Sequence, residues 1–155
     1  AVLALAAGLA PSASGAQASG FSVAASLGGG GAVGGSSSSA TSGGIFAAEL
    51  GGAYDLGQGF RPELSLLLGL APSSFLGLRP GLSYLLPGMP LHLAAGLDFA
   101  APHGSWRLRW LLGGGGAELR FTDQLGLFAE ARAGIPIASG AGLLFELRAG
   151  VRFRL

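Results

Sequence analysis

Residues 143–155 read Leu-Leu-Phe-Glu-Leu-Arg-Ala-Gly-Val-Arg-Phe-Arg-Leu. Leu143, Phe145, Leu147, Ala149, Val151, Phe153 and Leu155 share one parity, while Glu146, Arg148, Gly150, Arg152 and Arg154 share the other. A β-strand points successive side chains to opposite faces. This segment therefore has one apolar wall and one wall with four charges. The final residue falls on the apolar side, and the expected role is the closing strand of a transmembrane β-barrel.

Composition supports that reading. The chain has 155 residues, a one-domain length, of which 50% are hydrophobic and 11% charged. Soluble domains carry roughly 25% charged residues. No stretch approaches the roughly 20 apolar residues of a spanning helix. After the first ten residues the longest candidate is 64–71, interrupted by Ser65 and Gly69 and bracketed by Pro62 and Pro72. A lipid-facing chain without such helices satisfies its backbone only as a closed barrel. The 30 glycines and 8 prolines do not signal disorder, which goes with low hydrophobicity and high net charge, whereas the net charge is +1. That charge excludes a nucleic-acid partner signal. All nine basic residues are Arg, which suits a GC-rich codon bias or bidentate pairing with carboxylates. Cys is absent, so disulfides, thiol catalysis and thiolate metal sites are excluded.

Residues 1–18 have the pattern of an export signal. Ala1 to Ala10 is apolar apart from Gly8, Pro11 breaks the run, and a short polar stretch ends in Ala16-Gln17-Ala18. The positive n-region and initiator Met are missing, so the segment is expected to belong to a longer leader. The barrel domain is then 19–155.

Turn residues divide the rest into eight expected strands near 20–30, 44–56, 60–71, 74–86, 91–101, 105–121, 125–137 and 143–155. Their lengths suit the roughly 9–11 residues of a tilted spanning strand. Charges keep one parity within each strand: Glu49 with Asp55, Arg61 with Glu63, His92 with Asp98, Glu130 with Arg132. The opposite parity is mostly Leu, Ala, Phe, Tyr and Ile, unlike the polar outer face of a soluble sandwich. The sixth strand breaks phase between Arg107 and Arg109 on one side and Glu118 and Arg120 on the other. Gly113 to Gly116 lies between them, where a β-bulge is expected. Counting outward from the turns pairs Asp55 with Arg61, and Arg79 with Asp98. It also pairs Asp98 with Arg107, and Arg132 with Arg148, with Glu130 and Glu146 as diagonal neighbours. An eight-stranded barrel is filled by its own side chains. The expected lumen network is thus Glu49, Asp55, Arg61, Glu63, Arg79, Asp98, Arg107, Arg109, Glu130, Arg132, Glu146 and Arg148, paired because unpaired buried charge is costly.

Aromatic girdles mark both interfaces of membrane barrels. Outward Phe21, Tyr54, Phe60, Tyr84, Phe121 and Phe153 are expected at one rim, with Phe46, Phe99 and Trp106 near the other. The terminal stretch Arg148-Ala149-Gly150-Val151-Arg152-Phe153-Arg154-Leu155 resembles the β-signal of bacterial outer-membrane proteins, through Arg148, Gly150 and Phe153. Leu155 stands where a terminal Phe or Trp is commoner. With the export signal and eight strands, residues 20–155 resemble the small OmpA/OmpX-like barrels. That resemblance implies an outer-membrane location, contact with outer-membrane lipid and lipopolysaccharide, and insertion by the barrel-assembly machinery. It implies no single activity.

Chemistry is sparse. His103-Gly104-Ser105 resembles the His-x-Ser element of outer-membrane lipid A deacylases, but Trp106 replaces that family's Asn. The nearest downstream acid, Glu118, is fifteen residues away in the same expected strand, roughly 50 Å at about 3.3 Å per residue. A surface-loop histidine is the plainer assignment, and His92 reads as a hydrogen-bonded lumen residue, not a metal ligand. The glycine runs 28–31 and 113–116 lack the Lys and Ser/Thr of a phosphate loop. Gly30 to Gly44, with four consecutive serines, reads as the longest surface loop. The expected function is an outer-membrane barrel with a structural or envelope-interaction role, monomeric, without enzymatic activity, cofactor or metal. A narrow pore for small solutes or ions is the alternative. A soluble periplasmic lipid-binding barrel and a lipid A-modifying enzyme rank lower.

Overall fold

The computed structural model describes residues 20–34, 44–101, 104–139 and 141–155; the expected export signal and His103 lie outside them. Eight strands follow in sequence order: β1 (Gly20–Val33), β2 (Ile45–Asp55), β3 (Phe60–Ala71), β4 (Phe75–Leu85), β5 (Leu91–Ala101), β6 (Arg107–Arg120), β7 (Leu125–Pro136) and β8 (Leu143–Arg154). Each pairs antiparallel with its sequence neighbour, and β8 returns to β1 from Ser22↔Arg154 to Val33↔Leu143, closing an all-β up-and-down barrel. Closure leaves no edge strand, so every strand has a ladder neighbour on both sides. Tight turns at 56–59, 86–90 and 121–124 define one end of the barrel (the turn end), together with the start of β1 and the end of β8. The other four connections define the loop end.

Period-two alternation sorts the side chains. Leu50, Leu64, Leu66, Leu76, Leu93 and Leu147 point outward and are exposed, Leu147 at 68%. Arg61, Arg79, Asp98, Glu130 and Arg148 point inward and are buried. Such a surface inverts the ordinary arrangement of a water-soluble protein.

Three expectations on register require correction. Across β7 and β8, Glu130 lies opposite Arg148 and Arg132 opposite Glu146, so Arg132 does not face Arg148. The connecting loop is not symmetric: the Ile137 and Ala138 amides both donate to the Arg109 carbonyl on β6, at 2.8 and 3.4 Å. That docking shifts the pairing by two residues and sets opposite charges across from each other, where like charges would repel. The bulge of β6 is at Arg109, not in the glycine run: Phe99 pairs with Leu108 and Asp98 with Trp110, while Gly113 to Gly116 stay in register with both neighbours. Because of that extra residue, Asp98 takes Arg109 instead of Arg107. Arg107 is exposed at the loop end, with no ion pair among the described residues.

Candidate functional site

The inward parity of all eight strands converges on one interior, built in three layers. At the loop end Leu67, Trp110, Leu112 and Leu144 are buried, with Ile45 packed against the last three. Trp110 Nε1 donates to the Gly142 carbonyl at 2.9 Å, tying the last loop to the barrel. The Arg109 guanidinium lies 4.7 Å from the Phe75 ring centroid and 4.4 Å from that of Trp110, within cation–π range. Sequence reasoning missed this apolar layer. Inward Leu, Phe and Trp on one parity look no different from wall residues until the strand phase is known.

The middle layer is ionic. Arg79 donates to Asp98 at 2.7 Å, to Glu49 at 3.2 Å, and through both terminal nitrogens to Glu146 at 2.8 Å each. Arg109 donates to the second oxygen of Asp98 at 2.9 Å. Arg148 donates to Glu49 and, at 2.7 Å, to Glu130. Glu130 also accepts from Arg132 and lies 3.4 Å from His92 Nε2. The turn-end layer centres on Glu118 and Glu63. Arg61, Arg152 and Arg154 surround Glu118, and Arg61 and Arg152 also reach Glu63. Asp55 stands 4.0 Å from Arg61, and Ser83 donates to Glu63 at 2.9 Å. Phe128 lies between the ionic layers, its ring centroid 5.5 Å from both the Arg148 and Arg152 guanidinium carbons.

Charge balance inside follows from these contacts. Seven carboxylates (Glu49, Asp55, Glu63, Asp98, Glu118, Glu130, Glu146) meet seven guanidinium groups (Arg61, Arg79, Arg109, Arg132, Arg148, Arg152, Arg154), each within 4.0 Å of an opposite charge. The chain's surplus of one positive charge comes from Arg107, Arg120 and Asp123, which lie outside this set. Glu118, Arg152 and Arg154 were absent from the expected network. The parity of β8 already carried the two arginines, whereas the bulge in β6 hid the phase of Glu118.

Aromatic side chains ring both ends. Phe21 pairs with Tyr54 across β1 and β2, the Phe60 and Tyr84 rings are 4.9 Å apart, and Phe121 and Phe153 are exposed at the same end. Phe46, Phe99 and Trp106 lie at the loop end, joined by exposed Phe145. Of the residues expected to form an assembly signal, Phe153 and Leu155 face outward, while Arg148 is engaged inside. Gly150 faces inward, where a Cβ would come within 2.6 Å of Ser26 Cβ. Among the described residues no group of three or more His, Asp or Glu could hold a metal ion.

No protein-family model matches the chain, and no curated protein matches it. Solved structures do. Neisserial surface protein A aligns at TM-score 0.56 and 20% identity, over 90% of this chain and 100% of its own. The N-terminal β-barrel domain of Pseudomonas aeruginosa OprF aligns at TM-score 0.60 and 14% identity, over 86% of this chain and 97% of its own. At these identities the likeness concerns the fold, a small closed eight-stranded barrel.

Proposed function

We propose that the chain is a bacterial outer-membrane barrel of structural or envelope-interacting type, with a plugged lumen and no catalytic role. The observation that carries this reading is the inside-out distribution of side chains. An exposed Leu-rich wall is bounded by aromatic rings, and seven inward-facing carboxylates are matched by seven inward-facing arginines. In water such a wall would be an aggregation surface; in lipid it is the required one. The shared fold with Neisserial surface protein A and the OprF barrel supports the same assignment. Its partners would be outer-membrane lipid and lipopolysaccharide around the wall and the barrel-assembly machinery during insertion, with the barrel acting as a monomer.

The plug reading rests on the two kinds of interior layer. An open pore needs a continuous hydrated path, whereas here an apolar layer at the loop end lies in series with interlocked ion pairs. Electrophoretic mobility with and without boiling, on protein from fractionated outer membranes, tests the membrane assignment. The expected result is a fast-migrating unboiled band that slows on boiling. Recovery in the soluble periplasmic fraction without a heat shift would instead favour a soluble lipid carrier.

A further inference from the structure

Three tight turns share the turn end, and one of them differs in chemistry. The β2–β3 turn carries Gln58 and is flanked by Asp55 and Arg61, and the β6–β7 turn carries Thr122, Asp123 and Gln124. The β4–β5 connection reads Leu85-Leu86-Pro87-Gly88-Met89-Pro90-Leu91, without one polar side chain. Its tip is nonetheless exposed at Pro87, Gly88, Met89 and Pro90, with Met89 at 52%. Turns at a protein surface are ordinarily polar, and an exposed apolar patch marks a contact.

The backbone of this turn also makes few demands on water. Pro87 and Pro90 have no N–H. The Leu86 amide donates to the Leu91 carbonyl at 2.9 Å, and the Met89 amide to the Leu86 carbonyl at 3.2 Å. The Pro90 carbonyl accepts from the Glu118 amide at 2.7 Å. Within 86–90 the Gly88 amide is then the one donor without an acceptor among the described residues. Gly88 takes φ +73°, a conformation that Asn or Asp can otherwise supply, so the turn closes without a polar side chain. The β2–β3 turn instead places Gln58 at positive φ.

We propose that residues 86–90 insert into the headgroup–acyl boundary of the leaflet at the turn end and anchor that side of the barrel in phospholipid. The proposal rests on the membrane reading above. Tyr84, whose ring lies against Phe60 in the aromatic girdle, marks headgroup level, and the turn follows directly from it. Leu82, Leu91 and Leu93 are all exposed and carry the lipid-facing wall up to the turn without interruption. Lipid fits this surface better than a protein partner does. Specific protein contacts draw on polar groups around an apolar centre, and the side chains of residues 85–91 offer none. The other two turns, with their polar and charged side chains, belong in water, so the anchor is one-sided. In the ring of strands β4 and β5 lie opposite the β8–β1 closure, where Arg154 ends β8.

The chain has no Cys, so a single introduced cysteine can carry a nitroxide spin label without further substitution. Met89→Cys, Gln58→Cys, Gln124→Cys and Leu93→Cys are each labelled in the full chain and placed in phosphatidylcholine nanodiscs, which leave both membrane faces open. Relaxation by oxygen, which concentrates in lipid, is compared with relaxation by a water-soluble nickel chelate. The label at position 89 is expected to respond mainly to oxygen, as the label at position 93 on the wall does. It should lose most of the nickel response seen at positions 58 and 124. A label at position 89 as open to nickel as those two would overturn the proposal, because the turn then stands in water. Shielding from both reagents would overturn it as well, since protein and not lipid would cover the turn. Position 93 separates the two readings. Nickel access there means that the membrane assignment itself fails, whereas a lipid-facing position 93 with a water-exposed position 89 sinks only the anchor. Heat-dependent mobility of each labelled variant reports that the barrel is folded.

Discussion

Asp98 shows at the residue scale how the interior is held. It is 0% exposed and accepts from Arg79 and Arg109 through different oxygens. Removing one partner from a buried ion network leaves uncompensated charge, which costs about 3–5 kcal/mol. Asp98→Ala should therefore lower the urea midpoint of the refolded barrel by a corresponding amount. Asp98→Asn, which keeps the shape, should lose less. Gly150 makes a different demand. Its absent side chain leaves room for Ser26 at the β1–β8 closure, so a large residue there acts on packing and not on recognition alone. Gly150→Leu is expected to abolish the fast-migrating unboiled band, whereas Val151→Leu on the exposed wall should leave it intact. Both glycine and arginine of the terminal motif were legible in the sequence. Their engagement with Ser26 and Glu49 was not, because those partners lie on strands far away in the sequence.

The element that most departs from expectation is β6. Its charges change phase between Arg107 and Glu118, so one additional residue was legible in the sequence, but its position was not. A four-glycine run is the permissive place for a bulge, yet the ladder is irregular at Arg109. There Asp98, Phe75 and Trp110 give the displaced guanidinium three partners. Tertiary contacts thus outweighed local permissiveness. Deleting Arg109 should regularise the ladder and still yield a heat-modifiable barrel, less stable because Asp98 loses one donor. Deleting Gly114 should prevent assembly, since it reverses the facing of one arm of β6 relative to the other. Mobility of the unboiled deletion variants distinguishes the two outcomes.

Across the whole molecule, burial of the ion pairs sets how they respond to solvent. Salt screens exposed charges over about a Debye length but reaches buried pairs poorly. The urea midpoint should therefore change little between about 0.05 and 0.5 M NaCl, in contrast to a barrel held by rim charges. A plugged interior further predicts no stepwise conductance above baseline in planar bilayers. Discrete channels would favour the pore reading. The sequence alone determined the number of strands, their facing, the inside-out wall and the aromatic rings, because a period of two and the turn residues are local properties of the chain. Asp55–Arg61 and Arg79–Asp98 were also accessible, since short regular turns carry register directly into pairing. The partners of Arg109, Arg132, Glu118 and Arg152 and the apolar layer around Trp110 were decided only by the tertiary structure. Bulges and loop docking alter register in ways that no local pattern records. Barrel closure, moreover, brings residues from opposite walls, such as Glu49 and Arg148, into contact across a shared interior.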